Sequence, residues 1–247
     1  MQFPILFENV HALAIDKPAG IMVHPDDRQD EYTVSDWMKE TYGVEGVGEK
    51  GREGIVHRLD RNTTGVLLLA KDAIAYTTFK KQFKDHTTRK VYRAIVEGNI
   101  KHETGMISLP LARAKSDFRK RTVVDMFSQD NRGEEKDAVT RYKVLARAKS
   151  GEGKEYSYIE AYPLTGRTHQ IRAHFRGIRH PIIGDDLYGS RNGKEIAERS
   201  MLHALSLTIL VPEEKTGTKE MTFVAPTPKD MKEILEKLGF SKEIVAL

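Results

Sequence analysis

Apolar residues recur along the chain in short runs and alternating patterns that predict strands. The run from Val66 to Ala70 is too short for a helix and opens after a glycine, so it predicts a short buried strand. A second strand is predicted from Leu13, running into a turn marked by Pro18 and Gly20. Further strands are predicted at residues 54–56, 90–96, 121–127, 139–146 and 158–164.

Four other segments carry apolar residues at the spacing of an amphipathic helix. The first extends from Val34 to Tyr42, with Thr33 or Ser35 as its cap. The second begins after Asp72, whose side chain can cap a helix that ends near Lys84. The last two are a short helix capped by Thr168 that ends at Gly177, and a C-terminal helix from Pro228.

The order of these elements predicts the fold class. Strands outnumber helices and mostly follow one another, and we expect residues 121–127 and 139–146 to pair through the polar loop 128–133. This order favours an α+β fold with a mixed, largely antiparallel central sheet and flanking helices. Because no repeat or low-complexity linker interrupts the chain, we expect one catalytic domain over residues 1–247.

Composition narrows the class of protein. The 247 residues are 39% hydrophobic and 31% charged, and no apolar stretch approaches the roughly 20 residues of a membrane-spanning helix. The N-terminus lacks the pattern of a signal peptide. The chain has no cysteine, which excludes disulfides, thiolate catalysis and cysteine-based zinc sites. We therefore expect a cytoplasmic protein that does not associate with membranes, and we expect a monomer.

The charge distribution points to a polyanionic partner. The net charge is +4 and the pI is near 9.0. Basic residues are concentrated in three stretches: Lys80, Lys81, Lys84, Arg89, Lys90 and Arg93; Arg113, Lys115, Arg119, Lys120 and Arg121; and Arg167, Arg172, Arg176 and Arg179. Each stretch alone is typical of a solvated face. Together, separated by acidic segments, they favour one basic side that binds a phosphate backbone.

Residues 57–71 carry the clearest chemical signal. Asp60 lies between Arg58 and Arg61 in a loop that leads into the apolar run, so buried strands can hold its carboxylate at the rim of a cleft. On composition alone, such a cluster is more often a solvated surface turn. A protein-kinase catalytic loop is excluded, because Leu59 separates Arg58 from Asp60 and the following asparagine comes too early.

The block 57–71 resembles the signature motif of the RluA-type RNA pseudouridine synthases, with Thr64 where serine is usual. Further blocks resemble that family in the expected order: residues 17–20 with 24–25, residues 90–92, residues 165–174, and residues 180–185 with 188–189 and 202–204. The resemblance extends from about residue 5 to about residue 226. We expect the chain to lack the small N-terminal RNA-binding domain of many relatives.

The resemblance implies the pseudouridine synthase fold and a reaction on uridine. Asp60 is then the catalytic nucleophile, and Arg167 pairs with its carboxylate and keeps it charged and aimed. Without the resemblance, Arg167 would be a phosphate contact or a surface arginine. If the pair is buried, its removal should also damage the fold.

Five other residues gain substrate-binding roles from the same resemblance. Tyr92 stacks on the target base, and Ile171 packs beneath the uracil. Arg58 enters the RNA helix in place of the flipped nucleotide, while Lys71 and His57 support the site. Without the resemblance, Tyr92 would be an ordinary strand aromatic, Ile171 helix core and Arg58 a phosphate clamp.

We expect no metal and no organic cofactor. His169 and His174 are five residues apart and so do not share a helix face as a zinc-binding pair does. Residues 46–51 match a dinucleotide-binding glycine pattern, but they follow no strand and open no helix, which favours a flexible loop. Asp185 and Asp186 could suggest a metal-dependent nuclease, although such a pair after glycine is usually a loop.

The resulting hypothesis is isomerisation of uridine to pseudouridine in structured ribosomal or transfer RNA. The main alternative is a catalytically silent RNA-binding protein with the same fold, which the joint presence of Asp60, Tyr92 and Arg167 argues against. A nuclease is a weaker alternative, because the chain lacks a cluster of carboxylates.

Overall fold

The computed structural model describes residues 2–25, 31–124, 131–213 and 217–247. Its helices are α1 (Val34–Tyr42), α2 (Ala73–Lys84), α3 (Gln170–Gly177), α4 (Arg191–Ile196), α5 (Lys229–Lys237) and α6 (Lys242–Ala246). Its strands are β1 (Ile5–Glu8), β2 (Ala12–Lys17), β3 (Thr64–Ala70), β4 (Arg89–Glu97), β5 (Thr104–Ser108), β6 (Leu111–Ala114), β7 (Arg121–Val123), β8 (Asn131–Lys136), β9 (Val139–Lys149), β10 (Glu155–Pro163), β11 (Leu202–Pro212) and β12 (Thr218–Val224).

The chain divides into two compact units. The first consists of Met1–Lys90 and Ala204–Pro226, and the second of Val91–His203 and Thr227–Leu247. The single domain expected over residues 1–247 stays a prediction. No helix among the described residues is long and apolar enough to cross a membrane.

The first unit is built around β3. This strand is buried along its whole length and pairs antiparallel with β2, which pairs with β1. β11 follows β3 in the strand order and pairs antiparallel with β12. The apolar residues of these strands form one core cluster with Ala75 and Phe79 of α2. Gly65 is required near the start of β3, because a side chain there would meet the backbone oxygen of Ala204 at 2.2 Å.

The second unit contains two sheets. β4, β10, β9 and β5 form antiparallel neighbours in that order, and β6 lies between β7 and β8 in a separate three-stranded sheet. The main core cluster combines strand residues such as Ile95 and Ile159 with Phe175 of α3 and Leu235 of α5. Antiparallel strands with flanking helices confirm the predicted α+β class.

Several local predictions are confirmed. α1 begins with a capping box in which Thr33 and Asp36 bond each other's backbone N–H groups. Asp72 caps α2 by accepting a hydrogen bond from the backbone N–H of Ala75 at 2.8 Å. The run at Val66 to Ala70 forms most of β3.

Other local predictions are wrong. Residues 54–56 form no strand, and only an isolated bridge joins Ile55 to Leu69. The first three residues of 121–127 pair with β6, whereas β9 pairs with β5 and β10. Residues 131–133 of the expected loop belong to β8, and residues 125–130 lie outside the described part of the chain. The cap of α3 is His169 in the left-handed conformation, not Thr168.

Candidate active site

Asp60 lies in a tight turn directly before the buried strand β3. Its backbone carbonyl accepts a hydrogen bond from the N–H of Thr63 at 3.0 Å, and β3 begins one residue later. The preceding Leu59 is buried, while Asp60 itself is half-buried. The carboxylate is therefore carried by a short turn between two buried anchors.

Lys17 binds this turn to the N-terminal segment. Its ammonium donates to the carbonyls of Pro18 and Ile21 at 2.8 Å each and of Arg61 at 2.9 Å, and its side chain is fully buried. The backbone N–H of Gly20 also donates to the Arg61 carbonyl, at 3.0 Å. Through the bond to Arg61, which directly follows Asp60, Lys17 links the turn of Asp60 to the N-terminal segment.

Arg58 is held by a buried histidine of the same N-terminal segment. Its Nη1 lies 2.9 Å from Nε2 of His24, whose Nδ1 lies 2.8 Å from the carbonyl oxygen of Pro25. A guanidinium can only donate, so Nε2 of His24 accepts and Nδ1 carries the proton. His24 is therefore a neutral acceptor in this structure. Arg58 remains exposed, and its guanidinium stays accessible to a ligand.

His57 attaches the segment that leads to Asp60 to strand β3. Its Nε2 accepts a hydrogen bond from the backbone N–H of Leu68 at 2.9 Å, and its ring stacks on Phe83 with centroids 4.6 Å apart. Burial lowers the pKa of His57 to about 3, and the nearby charge of Lys90 contributes to the same shift. A neutral His57 is what the hydrogen bond from Leu68 requires. The structure therefore gives His57 a positioning contact in the connection to Asp60.

Lys71 lies beyond the far end of β3. The seven residues of the strand separate it from the Asp60 turn, roughly 23 Å at about 3.3 Å per residue. Its ammonium donates to Glu8 at 2.7 Å and to the carbonyl of Asn9 at 3.0 Å, and it lies 5.0 Å from the centroid of the Tyr42 ring. This placement does not support the predicted role of Lys71 in the substrate site.

In the second unit, Arg167 lies in the turn that leads into α3. Its Nε donates to the carbonyl of Asp137 at 3.0 Å, and its backbone N–H donates to the side-chain oxygen of Gln170 at 3.0 Å. Buried Gln170 also accepts from Thr165 and donates to the carbonyl of Val139. The Gln170 side chain thus stabilises the turn from its buried side. Arg167 is half-buried at the surface of the turn.

Tyr92 and Ile171 belong to the core of the second unit. Ile171, in the first turn of α3, is buried within the main cluster. Tyr92 lies opposite Ala161 in the pairing of β4 with β10 and packs, half-buried, at the border of the same cluster. The structure therefore brings the proposed base-stacking ring and the proposed floor of the pocket to one apolar cluster.

A buried ion pair that the sequence pattern did not reveal supports α3. Arg172 donates to Asp185 at 2.6 and 2.8 Å and to Asp186 at 2.9 Å. Burial alone would raise the pKa of Asp185, but Arg172 and two backbone N–H groups lower it below its usual range. Asp185 is therefore a structural carboxylate and not part of a nuclease centre. The only sequence signal for this pair is its place in two motif blocks.

Tyr188 joins α3 to the three-stranded sheet. Its ring lies 5.2 Å below the Arg172 guanidinium, and its hydroxyl lies 3.0 Å from Nδ1 of His169. The same hydroxyl accepts a hydrogen bond from the backbone N–H of Arg121 in β7 at 2.7 Å. The left-handed backbone of His169 (φ 56°) is held in part by this hydroxyl.

The second basic stretch forms an open, charged surface on the three-stranded sheet. A cavity of about 490 Å³ is lined by Lys115, Ser116, Asp117, Phe118, Arg119 and Arg132. Phe118 is 52% exposed and lines this cavity beside the cations. The hydrogen bond from Arg119 lowers the pKa of Asp117 to about 2, so this carboxylate stays ionised. The surface is still positive, because Lys115, Arg119 and Arg132 outnumber it. Cations beside an exposed aromatic ring are suited to single-stranded nucleic acid.

The site residues suit a reaction driven by one fixed carboxylate. The turn of the first unit presents Asp60, with Arg58 two residues before it. A carboxylate held in this way can act as a nucleophile. Among the residues that the structure describes, no group of three or more histidines and carboxylates could hold a metal ion.

Comparison with known proteins adds independent information. A family model described as RNA pseudouridylate synthase matches residues 11–176. Ribosomal large subunit pseudouridine synthase D of Zymomonas mobilis is 36% identical, over 96% of this chain and 73% of the relative. The dual-specificity RNA pseudouridine synthase RluA of Vibrio parahaemolyticus is 34% identical, over 85% and 78%. The solved human RNA pseudouridylate synthase domain containing 1 aligns with a TM-score of 0.71 and 27% identity, over 91% and 83%.

Proposed function

The chain belongs to the RNA pseudouridylate synthase family, and on this premise we propose that it isomerises specific uridines of structured RNA with Asp60 as its nucleophile. The observation that carries the proposal is the placement of Asp60 in a turn that the buried Lys17 ammonium helps to fix through its hydrogen bond to the carbonyl of Arg61, the next residue. A nucleophile needs such fixed geometry, because misplacement by even ~1 Å can cost about 100-fold in rate.

The name of one relative favours ribosomal RNA as the substrate, and the sequence hypothesis adds transfer RNA. The Zymomonas mobilis relative is named for the large ribosomal subunit, and the Vibrio parahaemolyticus relative is named for dual specificity. We therefore propose large-subunit ribosomal RNA as the first substrate to test and transfer RNA as the second. The cytoplasmic location and monomeric state expected from the sequence stay predictions.

The proposed reaction begins with extrusion of the target uridine. The reacting atoms are inaccessible in a stacked helix, and flipping the nucleotide costs roughly a few kcal/mol. Asp60 then promotes cleavage of the bond between N1 and the sugar. The detached uracil rotates and rejoins the sugar through C5, which loses its proton while N1 gains one. No atom is added or removed overall, as an isomerisation requires.

The other site residues have supporting roles in this proposal. The exposed Arg58, anchored by His24, fills the space that the flipped nucleotide leaves. Tyr92 stacks on the uracil, and Ile171 packs beneath the base. For Arg167, the pairing with Asp60 that the sequence resemblance implies stays a prediction. The basic surface around Phe118 binds RNA outside the pocket, consistent with its cations and exposed ring.

Pseudouridine mapping tests the function directly. Total RNA from cells with and without the gene is mapped, and we expect one or more uridines to lose modification when the gene is absent. The purified protein should then restore those positions on an unmodified transcript. An identical map in both strains, with RNA binding retained by the purified protein, would identify it instead as a catalytically silent RNA-binding protein.

A further inference from the structure

The cations of the first basic stretch differ in the groups that neutralise their charge. Lys81 pairs with Asp85 at 2.8 Å, and Arg89 pairs with Glu220 at 2.8 Å. Lys84 is exposed to water. Lys90 differs from all of these, because it is half-buried and its side chain makes no hydrogen bond, ion pair or ring contact with the described residues.

Among the described residues, no carboxylate pairs with Lys90. The charge of Lys90 helps to lower the pKa of the neighbouring His57. The His57 ring is neutral, accepts a hydrogen bond from the backbone N–H of Leu68 and stacks on Phe83. Burial lowers the pKa of Lys90, which reflects the cost of holding an ammonium away from water. A partly desolvated cation without a partner destabilises the folded chain.

Lys17, in the same unit, is a structural lysine whose ammonium has a full set of hydrogen-bond acceptors. Lys17 is fully buried, and three carbonyl oxygens accept its hydrogen bonds. Lys90 has no such set of acceptors among the described residues. Groups that cost stability in the free protein are characteristic of functional sites, where a ligand supplies the missing partner.

We infer that Lys90 is a binding residue for a backbone phosphate of the RNA, next to the nucleotide that reacts. The inference rests on the proposed function and adds a residue to the substrate site. Its position supports this: the neighbouring His57 begins the connection that carries Arg58 and Asp60, and Lys90 precedes Tyr92 by two residues. A phosphate oxygen near the ammonium provides the anion that the chain does not.

The first measurement is thermal melting of the whole chain without RNA, for the unchanged protein and for Lys90→Met. Methionine keeps the unbranched shape and removes the charge. We expect Lys90→Met to melt at the same or a higher temperature, because an uncompensated cation has been removed. A marked fall in melting temperature would show that a partner within the chain holds the ammonium, and it would overturn the inference.

The second measurement is equilibrium binding to unmodified transcripts of large-subunit ribosomal RNA over 50 to 200 mM salt. Loss of one phosphate contact lowers the slope of log K against log salt by about one. We therefore expect the change in Kd over this range to be about threefold smaller for Lys90→Met. Lys90→Arg keeps the charge and should retain most of the original slope.

The matched control is Lys229→Met, which removes an exposed lysine paired with Glu233 at 3.6 Å and lowers the net charge equally. Its slope should equal that of the unchanged protein. An unchanged slope for Lys90→Met, or the same loss in Lys90→Arg, overturns the inference. Both measurements are independent of turnover, so a chain that binds RNA through Lys90 but forms no pseudouridine would refute the proposed function alone.

Discussion

The Arg58 guanidinium donates a hydrogen bond to Nε2 of His24 at 2.9 Å, and Nδ1 of His24 in turn donates to the carbonyl of Pro25. This relationship joins two motif blocks that are 34 residues apart in the first unit. The hydrogen bond fixes the orientation of the exposed Arg58 guanidinium beside the turn of Asp60. A buried histidine that orients an arginine in this way has a testable consequence.

His24→Phe keeps an aromatic ring but removes the acceptor, so Arg58 loses its anchor. We expect turnover to fall about tenfold, since one hydrogen bond to a charged group is worth about 1.5–3 kcal/mol, and RNA affinity to stay within a few-fold. His24→Gln restores a side-chain acceptor and should recover part of the rate. Single-turnover kinetics check this prediction. A rate for His24→Phe equal to that of the unchanged protein would show that the anchor has no role.

Asp60→Asn should abolish pseudouridine formation while RNA affinity stays within a few-fold. The change removes the nucleophilic charge with almost no change in volume. The matched control is Asp85→Asn, which removes a carboxylate of the same unit that pairs with Lys81 on the surface. Substantial turnover by pure Asp60→Asn protein, measured on the mapped transcript, would end the assignment of Asp60 as nucleophile.

Substitutions of Arg167 and Arg172 should affect different quantities, turnover for Arg167 and the free energy of unfolding for Arg172. Arg167 is half-buried and bonds one carbonyl, so Arg167→Met should lose turnover with a loss of stability of only about 1 kcal/mol. Arg172→Met leaves Asp185 buried without its partner, which costs about 3–5 kcal/mol. Denaturant unfolding and kinetics at saturating RNA measure both. Normal turnover by Arg167→Met at saturating RNA would refute its place in the active site.

Tyr92→Phe and Tyr92→Leu distinguish stacking from proton transfer. Phenylalanine keeps the aromatic face, whose stacking is worth about 1–3 kcal/mol per base, and leucine deletes it. If stacking alone matters, Phe retains near-full activity, whereas Leu loses rate and tight binding. If the hydroxyl moves a proton, Phe binds RNA normally and turns over far more slowly. Unimpaired activity in both variants would mean that Tyr92 does not touch the substrate.

The neutral His57 predicts part of the acid sensitivity of the fold. Burial lowers the pKa of His57 to about 3, whereas an unfolded histidine takes up its proton near 6.5. The unfolded state therefore binds more protons between these values, so stability is lost as pH falls from about 6.5 toward 3.

Melting curves from pH 7 to pH 4 test this effect. His57→Gln should lose less melting temperature over that range than the unchanged protein. Some acid sensitivity should remain, because burial also lowers the pKa of His174. His102→Gln, which replaces an exposed histidine, is the control and should behave as the unchanged protein. Parallel curves for all three proteins would contradict the prediction.

The sequence by itself determined the features that depend on neighbouring residues. The caps Thr33 and Asp72 and the buried strand β3 follow from local spacing, because capping and apolar periodicity operate within a few residues. The ordered motif blocks also identified the family, which the family model matches over residues 11–176. Motifs are linear patterns, so they need no tertiary structure to be found.

Only the tertiary structure decided which motif residues touch each other. Lys17 reaches the carbonyl of Arg61, 44 positions along the chain, and Arg172 reaches Asp185. Lys71 shares the block of Asp60 but lies at the other end of β3, because an extended strand carries the ends of one motif apart. Side-chain contacts between distant segments depend on sheet register and turn conformation, which local patterns do not encode.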